Sequence, residues 1–229
     1  MKITCILLTA LAAGTLAAQE EPALDSRFQA YVELSYPTQI VVANAGGNQN
    51  DQPKRQTGFG FRYLGEIAGT HGLYYELGGM FDASSTFSFS GTLPDGVTTL
   101  DMTSAKLTDS YWALGAAYLF KAGDNGSLGV HLEGRGEYLR LQGQVSGSTF
   151  AQPLQLDHST TYLRPWLRVS GDYTFPTGKP VRPFVGLEGS YALLKTGQTR
   201  VPDFTNLDDR TVRSLAPRYS GAVYAGLRF

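Results

Sequence analysis

Residues 128–138 read Leu-Gly-Val-His-Leu-Glu-Gly-Arg-Gly-Glu-Tyr. Leu128, Val130, Leu132, Gly134, Gly136 and Tyr138 take alternate positions, and His131, Glu133, Arg135 and Glu137 lie between them. Successive side chains of a strand point to opposite faces, so this stretch is a strand with one apolar and one ionic face. Alternation alone does not say which face is inside. A soluble barrel or sandwich buries the apolar face, whereas a membrane barrel turns it to hydrocarbon.

Seven further segments repeat the pattern: 28–36, 59–67, 73–82, 112–120, 163–175, 181–193 and 219–229. In 112–120 both sides are apolar, and the face holding Trp112, Leu114, Tyr118 and Phe120 is taken as the outer one. None of the apolar faces carries a charge. The opposite faces carry Glu33, Glu66, Glu76, Asp82, Glu133, Glu137, Asp172 and Glu188, together with Arg62, Arg135, Arg164, Arg168, Arg182, Arg218 and Arg228.

Three features favour the membrane reading. Many segments reach the length of about 10 residues that a tilted strand needs to cross a bilayer, whereas globular strands average about 5–6. Aromatic residues gather at segment ends, with Phe28, Phe120, Phe175 and Phe229 at one and Tyr36, Phe81, Tyr138 and Tyr219 at the other, as interfacial girdles require. Connections alternate short (68–72, 121–127, 176–180) with long (37–56, 84–109, 140–159, 195–216). The expected fold is all-β: an eight-stranded antiparallel up-and-down transmembrane β-barrel with short periplasmic turns and long extracellular loops. Its narrow interior is filled by Arg–carboxylate pairs. Stretches 86–90 and 97–106 also alternate and either extend the third and fourth strands beyond the membrane or add two strands. The turn-like 91–96 (Gly-Thr-Leu-Pro-Asp-Gly) favours extension and eight strands. Pro165 and Pro183 imply a bulge or a strand end, and Arg140 implies that the fifth strand leaves the hydrocarbon near Tyr138.

Residues 1–18 (MKITCILLTALAAGTLAA) have the form of a secretory signal peptide, with Lys2 ahead of an apolar run and cleavage expected after Ala17 or Ala18. The expected mature domain is 19–229. Cys5, the single cysteine, lies in the leader, so no disulfide is expected in that domain. A net charge of −1 gives no reason to invoke nucleic acid.

With its leader, eight alternating segments and final strand 219–229 ending in Phe229, the chain resembles the small outer-membrane β-barrel family, the membrane domain of OmpA and the OmpX-like proteins. The resemblance implies residence in the outer membrane of a Gram-negative-type bacterium, contact with its lipid and lipopolysaccharide, and recognition of Phe229 by the barrel-assembly machinery. No periplasmic extension follows Phe229, so the anchoring domain of full-length OmpA is not expected.

Catalytic and metal motifs are absent from the reading. His71 falls in a turn. His131 beside Glu133 reads as part of a polar lumen, since two ligands two residues apart are not a metal motif. His158 and Ser159 are adjacent on a strand and point to opposite faces, which argues against a shared reaction. No cofactor and no catalytic residue is expected. The leading expectation is a non-enzymatic envelope-structural or surface-interaction protein, with an extracellular ligand met by the loops 39–54, 90–104 and 197–217. The last of these carries Phe204 and Leu207. The alternatives are a narrow channel or transporter for small or hydrophobic solutes and, more distantly, a lipid-modifying enzyme.

Overall fold

In the computed structural model, the ionic faces of these segments look at one another and the apolar faces look out. The structure describes residues 27–37, 50–51, 56–92, 99–148, 152–194 and 208–229. The proposed leader, and residues 39–49, 52–54, 93–98 and 195–207 of the loops, including Phe204 and Leu207, lie outside them. The strands are β1 (Arg27–Pro37), β2 (Asn50–Asp51), β3 (Gln56–Glu66), β4 (Leu73–Thr92), β5 (Thr99–Ala122), β6 (Gly126–Gly147), β7 (Leu154–Thr174), β8 (Arg182–Ala192) and β9 (Tyr219–Arg228), with one helix, α1 (Asp209–Ser214). Each long strand pairs antiparallel with the next, and β9 pairs with β1, so eight strands close into a barrel. β2 adds only two residues along the upper part of β4, Asn50 opposite Phe89 and Asp51 opposite Ser88.

Burial assigns the faces. Leu132 is 57% exposed and Leu163 71%, while their neighbours His131 and Arg164 are 1% and 3% exposed. Water would not support such a molecule, but hydrocarbon does, and closure leaves no strand edge unpaired within the membrane-spanning ring. Phe28, Tyr75, Tyr118, Tyr173, Phe175 and Phe229 ring one end of the exposed band. Tyr36, Phe81, Trp112, Tyr138 and Tyr219 ring the other. On β5, Ala113, Ala117 and Leu119 are buried while Trp112, Leu114 and Tyr118 are exposed, as the reading of 112–120 has it.

The barrel is lopsided. β1, β3, β8 and β9 have 10 or 11 residues, close to what a crossing needs, whereas β4 to β7 have 20 to 24. The surplus stands clear of the membrane as a four-stranded wall. Residues 86–90 and 99–106 are part of it, paired as continuations of β4 and β5, while 97 and 98 lie outside the described residues. The expected loop 140–159 needs correction: pairing of β6 with β7 runs to Val145 opposite Leu154, so that most of it is strand. The expected loop 195–216 also contains α1.

Both prolines mark ends of the β7–β8 ladder. The Pro165 carbonyl accepts from Leu193 N (2.9 Å) and the Pro183 carbonyl from Phe175 N (2.9 Å), each one step beyond the paired stretch Trp166–Ala192 to Thr174–Phe184. The N and C=O of a strand residue face the same neighbour, so each proline lacks the return N–H bond to Leu193 or Phe175, and the paired stretch ends there. Two glycines serve ring packing. Gly60 faces Tyr31 and Gly136 faces Trp112 across paired strands, and a Cβ at either would fall inside the opposing ring.

Candidate functional site

The lumen is built in tiers. Nearest the periplasmic end, Arg27 Nη2 donates to Ser127 Oγ (3.3 Å), and Arg228 pairs with Asp172 (2.7 Å) and donates to the Thr174 hydroxyl. In the middle tier Glu76 is the hub. It takes Arg62 Nε at 2.9 Å, Arg168, and His131 Nδ1 at 2.7 Å. Glu188 takes the other arms of the same arginines, Arg62 Nη2 at 3.0 Å and Arg168 Nη1 at 3.1 Å. His131 Nε2 lies 2.8 Å from Ser170 Oγ, and Arg168 Nη2 lies 3.0 Å from His131 Nδ1. Arg135 donates from Nε to Glu133 (2.7 Å) and is sandwiched between the rings of Tyr111 (4.2 Å to the centroid) and Trp166 (4.5 Å). In the upper tier Arg164 grips Glu137 with two bonds (3.1 and 2.5 Å), Trp166 Nε1 donates to the same carboxylate, and Arg164 Nη1 reaches the Pro217 carbonyl (2.9 Å). Forked guanidinium–carboxylate contacts suit a dry interior, because every donor removed from water needs a partner. Glu33 Oε2, Asp109 Oδ1 and Arg168 Nε have no hydrogen-bond partner among the described residues.

Three of the charges expected inside stand elsewhere. Asp82 has φ 54°, lies at the register shift between Met80 and Ala83, and is exposed, because the extra residue turns it out of the alternation. Arg182, first residue of β8, is exposed at the barrel end. Arg218 precedes β9 and turns outward to the Tyr191 hydroxyl, stacking over that ring at 5.1 Å. Glu66 ends β3 half-buried, on the same face as Arg62 and Leu64. Arg27, Asp109 and Tyr111 were missed, although extending the alternation of 28–36 by one residue and of 112–120 by three would have found them.

Above the membrane the lumen turns apolar. Met102, Ala105 and Leu107 of β5, Leu139, Leu141 and Val145 of β6, and Leu156 of β7 form a core with Val212 and Leu215. The last two come from α1 and its end. Val212, Leu215 and Ala216 share one helical face, Asp209 and Arg213 sit at the favourable ends of the helix dipole, and Pro217 stops the helix. Arg213 donates to Thr160 Oγ1 (2.9 Å) and to the Thr161 carbonyl (3.1 Å), and His158 Nε2 lies 2.9 Å from Asp209 Oδ1. That hydrogen bond holds the Asp209 carboxyl below the usual carboxylate range. His158 thus ties down the cap, while Ser159 sits opposite Arg140 on the outer face. Also outside, Arg140 forks onto Asp157 (2.8 and 2.6 Å), just beyond Tyr138. Among the described residues no group of three His, Cys, Asp or Glu side chains is placed to hold a metal ion.

No protein-family model matches the sequence, and no curated relative does. Among solved structures the chain is similar to Neisserial surface protein A (14% identity, TM-score 0.45, 91% of this chain and 98% of that one). It is also similar to Ail, the attachment invasion locus protein of Yersinia pestis (14%, TM-score 0.41, 90% and 100%), and to the outer membrane protein AlkL (11%, TM-score 0.34, 93% and 93%). The exposed apolar belt between two aromatic rings, the enclosed charges and the closure of eight strands identify the chain as an eight-stranded transmembrane β-barrel.

Proposed function

We propose that this protein is a surface-interaction protein of the outer membrane, in which the barrel is an anchor and the wall of β4 to β7 is the docking element. One observation carries the reading. β7 begins at Leu154, but β8 joins it only at Trp166, so among the described residues the outer edge of β7 above the membrane has no strand beside it. An unpaired edge is a template for an extended polypeptide. The Thr161 carbonyl on this edge already accepts from Arg213, which marks the odd-numbered residues as those whose backbone groups point outward. The ion-paired lumen, with α1 over its outer end, supports an anchor over the alternative of a channel. The role requires no chemistry in the lumen. In this reading the belt meets outer-membrane lipid and lipopolysaccharide, Phe229 is the mark read during barrel assembly, and 1–18 is a leader preceding the domain 19–229.

The test is capture of an extended-peptide library on whole cells displaying the protein. Ser159→Pro removes one edge N–H without touching the ladder to β6, and enriched peptides should lose binding to it. Equal capture by wild type and variant, or discrete and reproducible openings in a planar bilayer, would overturn the proposal.

A further inference from the structure

The two edges of the wall above the membrane are finished differently. On the β4 edge the cover is backbone: Asn50 and Asp51 of β2 pair with Phe89 and Ser88. On the β7 edge, α1 contributes a side chain. Arg213 Nη2 donates to the Thr161 carbonyl (3.1 Å), and its Nε donates to the Thr160 hydroxyl (2.9 Å). Thr161 shares its alternation with Pro165, whose carbonyl takes the N–H of Leu193, so the Thr161 carbonyl faces the place of a neighbouring strand. A guanidinium N–H thus stands where the backbone N–H of such a strand would stand. Charged side chains on an edge are a common guard against unwanted pairing.

The helix sets the reach of that side chain. Val212 and Leu215 are buried in the wall core, 0% and 1% exposed. Asp209 ties the helix to His158 of β7 (2.9 Å) and lies 3.3 Å from Arg213 Nη2. The Arg213 side chain itself is 38% exposed. It leaves the edge without being stranded in a dry interior, and Asp209, one helical turn back, remains beside it. Gln155, Asp157 and Ser159, which share the alternation of Thr161 further from the membrane, are exposed.

We propose, resting on the docking reading above, that Arg213 is an autoinhibitory pin on the β7 edge, which an extended polypeptide must displace to pair below Ser159. With the pin in place, a docked strand pairs with Gln155, Asp157 and Ser159 only. With the pin withdrawn it also pairs with Thr161, exchanging an N–H and a C=O bond there. Pro165, which has no N–H and whose carbonyl is taken by Leu193, closes the edge toward the membrane. The displaced guanidinium moves to solvent and to Asp209, so no buried charge is left unpaired. The pin therefore sorts partners by length. A short extended segment gains nothing from moving it, whereas a longer one replaces a side-chain bond with a pair of ladder bonds. While no partner is present, the pin also guards the edge against stray strands.

The test measures apparent Kd on cells displaying the protein, by titration with fluorescent peptides enriched in the capture experiment above. Each peptide is also shortened one residue at a time from either end. Arg213→Ala should bind the full peptide about 10-fold more tightly than wild type, as expected when one bond gives way to two. Shortening from the end that faces Thr161 should erase this advantage before it erases binding. Arg213→Lys, which keeps a donor, should stay close to wild type. Adding Ser159→Pro to Arg213→Ala should abolish the gain, which separates edge pairing from adhesion to apolar surface bared by a loosened α1. Folding of each variant is checked by heat-sensitive gel migration. If Arg213→Ala does not fold, Arg213→Met, which keeps the aliphatic stem and loses the donors, carries the comparison. Equal affinity for wild type and Arg213→Ala would overturn the pin and leave the docking edge standing. Weaker binding to Arg213→Ala, or a gain that survives Ser159→Pro, would overturn the pin as well. Capture by none of these proteins would overturn both the pin and the docking reading.

Discussion

The two lengths of β6 on either side of Tyr138 have opposite polarity. Below it, Leu128, Leu132 and Tyr138 face out while His131, Glu133, Arg135 and Glu137 are buried. Above it, Arg140 and Gln142 face out while Leu139, Leu141 and Val145 are buried. The strand is continuous, its register with β7 is the same throughout, and its register with β5 is unchanged from Ala122–Gly126 to Lys106–Gln142, well past Tyr138. What changes is the solvent outside. In hydrocarbon the outer face must be apolar, and the enclosed face can hold ions provided they pair. In water the usual order returns, and the wall becomes an ordinary amphipathic sheet whose apolar face needs a cover, supplied by Val212 and Leu215 at α1.

The contrast can be broken most severely from the ionic length. Arg168→Ala leaves Glu76 and Glu188 each short of a buried partner and should cost about 3–5 kcal/mol, read as a lowered urea midpoint for the compact gel species. Introducing arginine on the outer face separates the two lengths directly. Leu132→Arg should cost about 2–4 kcal/mol in a bilayer, while Gln142→Arg, on the same face of the same strand, should stay within about 0.5 kcal/mol. If both substitutions are equally harmful, the boundary at Tyr138 is misplaced. Leu215→Ala removes part of the cover and should cost about 2 kcal/mol locally. Hydrogen exchange in α1 should then rise while the barrel below keeps its protection. The smallest effect is electrostatic. The Asp209 carboxyl is depressed in the folded state, so its contribution to holding α1 is complete above the usual carboxylate range and is lost as the pH falls through the lowered value. Exchange of the Val212 amide should therefore quicken, after allowance for its intrinsic pH dependence, only in acid. In His158→Ala that step should move back toward the ordinary carboxylate range.

Most of the barrel was legible because alternation is a local property, written residue by residue in 128–138 and its counterparts. The upper strands were legible in part. Arg140 on the lipid-facing register was taken to mark where the strand leaves the hydrocarbon, with a loop over 140–159, but Leu139, Leu141 and Val145 on the other register were the sign that the strand continued there with its faces exchanged. Asp82 was misplaced because a bulge shifts parity without leaving a mark that composition can reveal. α1 was hidden inside a charged connection, since the spacing of Val212, Leu215 and Ala216 fills barely more than one helical turn.

Side-chain alternation, segment length and turn spacing were enough to specify eight membrane strands and which face meets lipid, because each is dictated by the period of the strand and the thickness of the bilayer. Which carboxylate meets which guanidinium, and that Glu76, His131 and Ser170 form a line, followed only from closure. Barrel curvature and stagger bring together residues as far apart as Arg62 and Glu188, and no sequence period encodes a contact across an enclosed space.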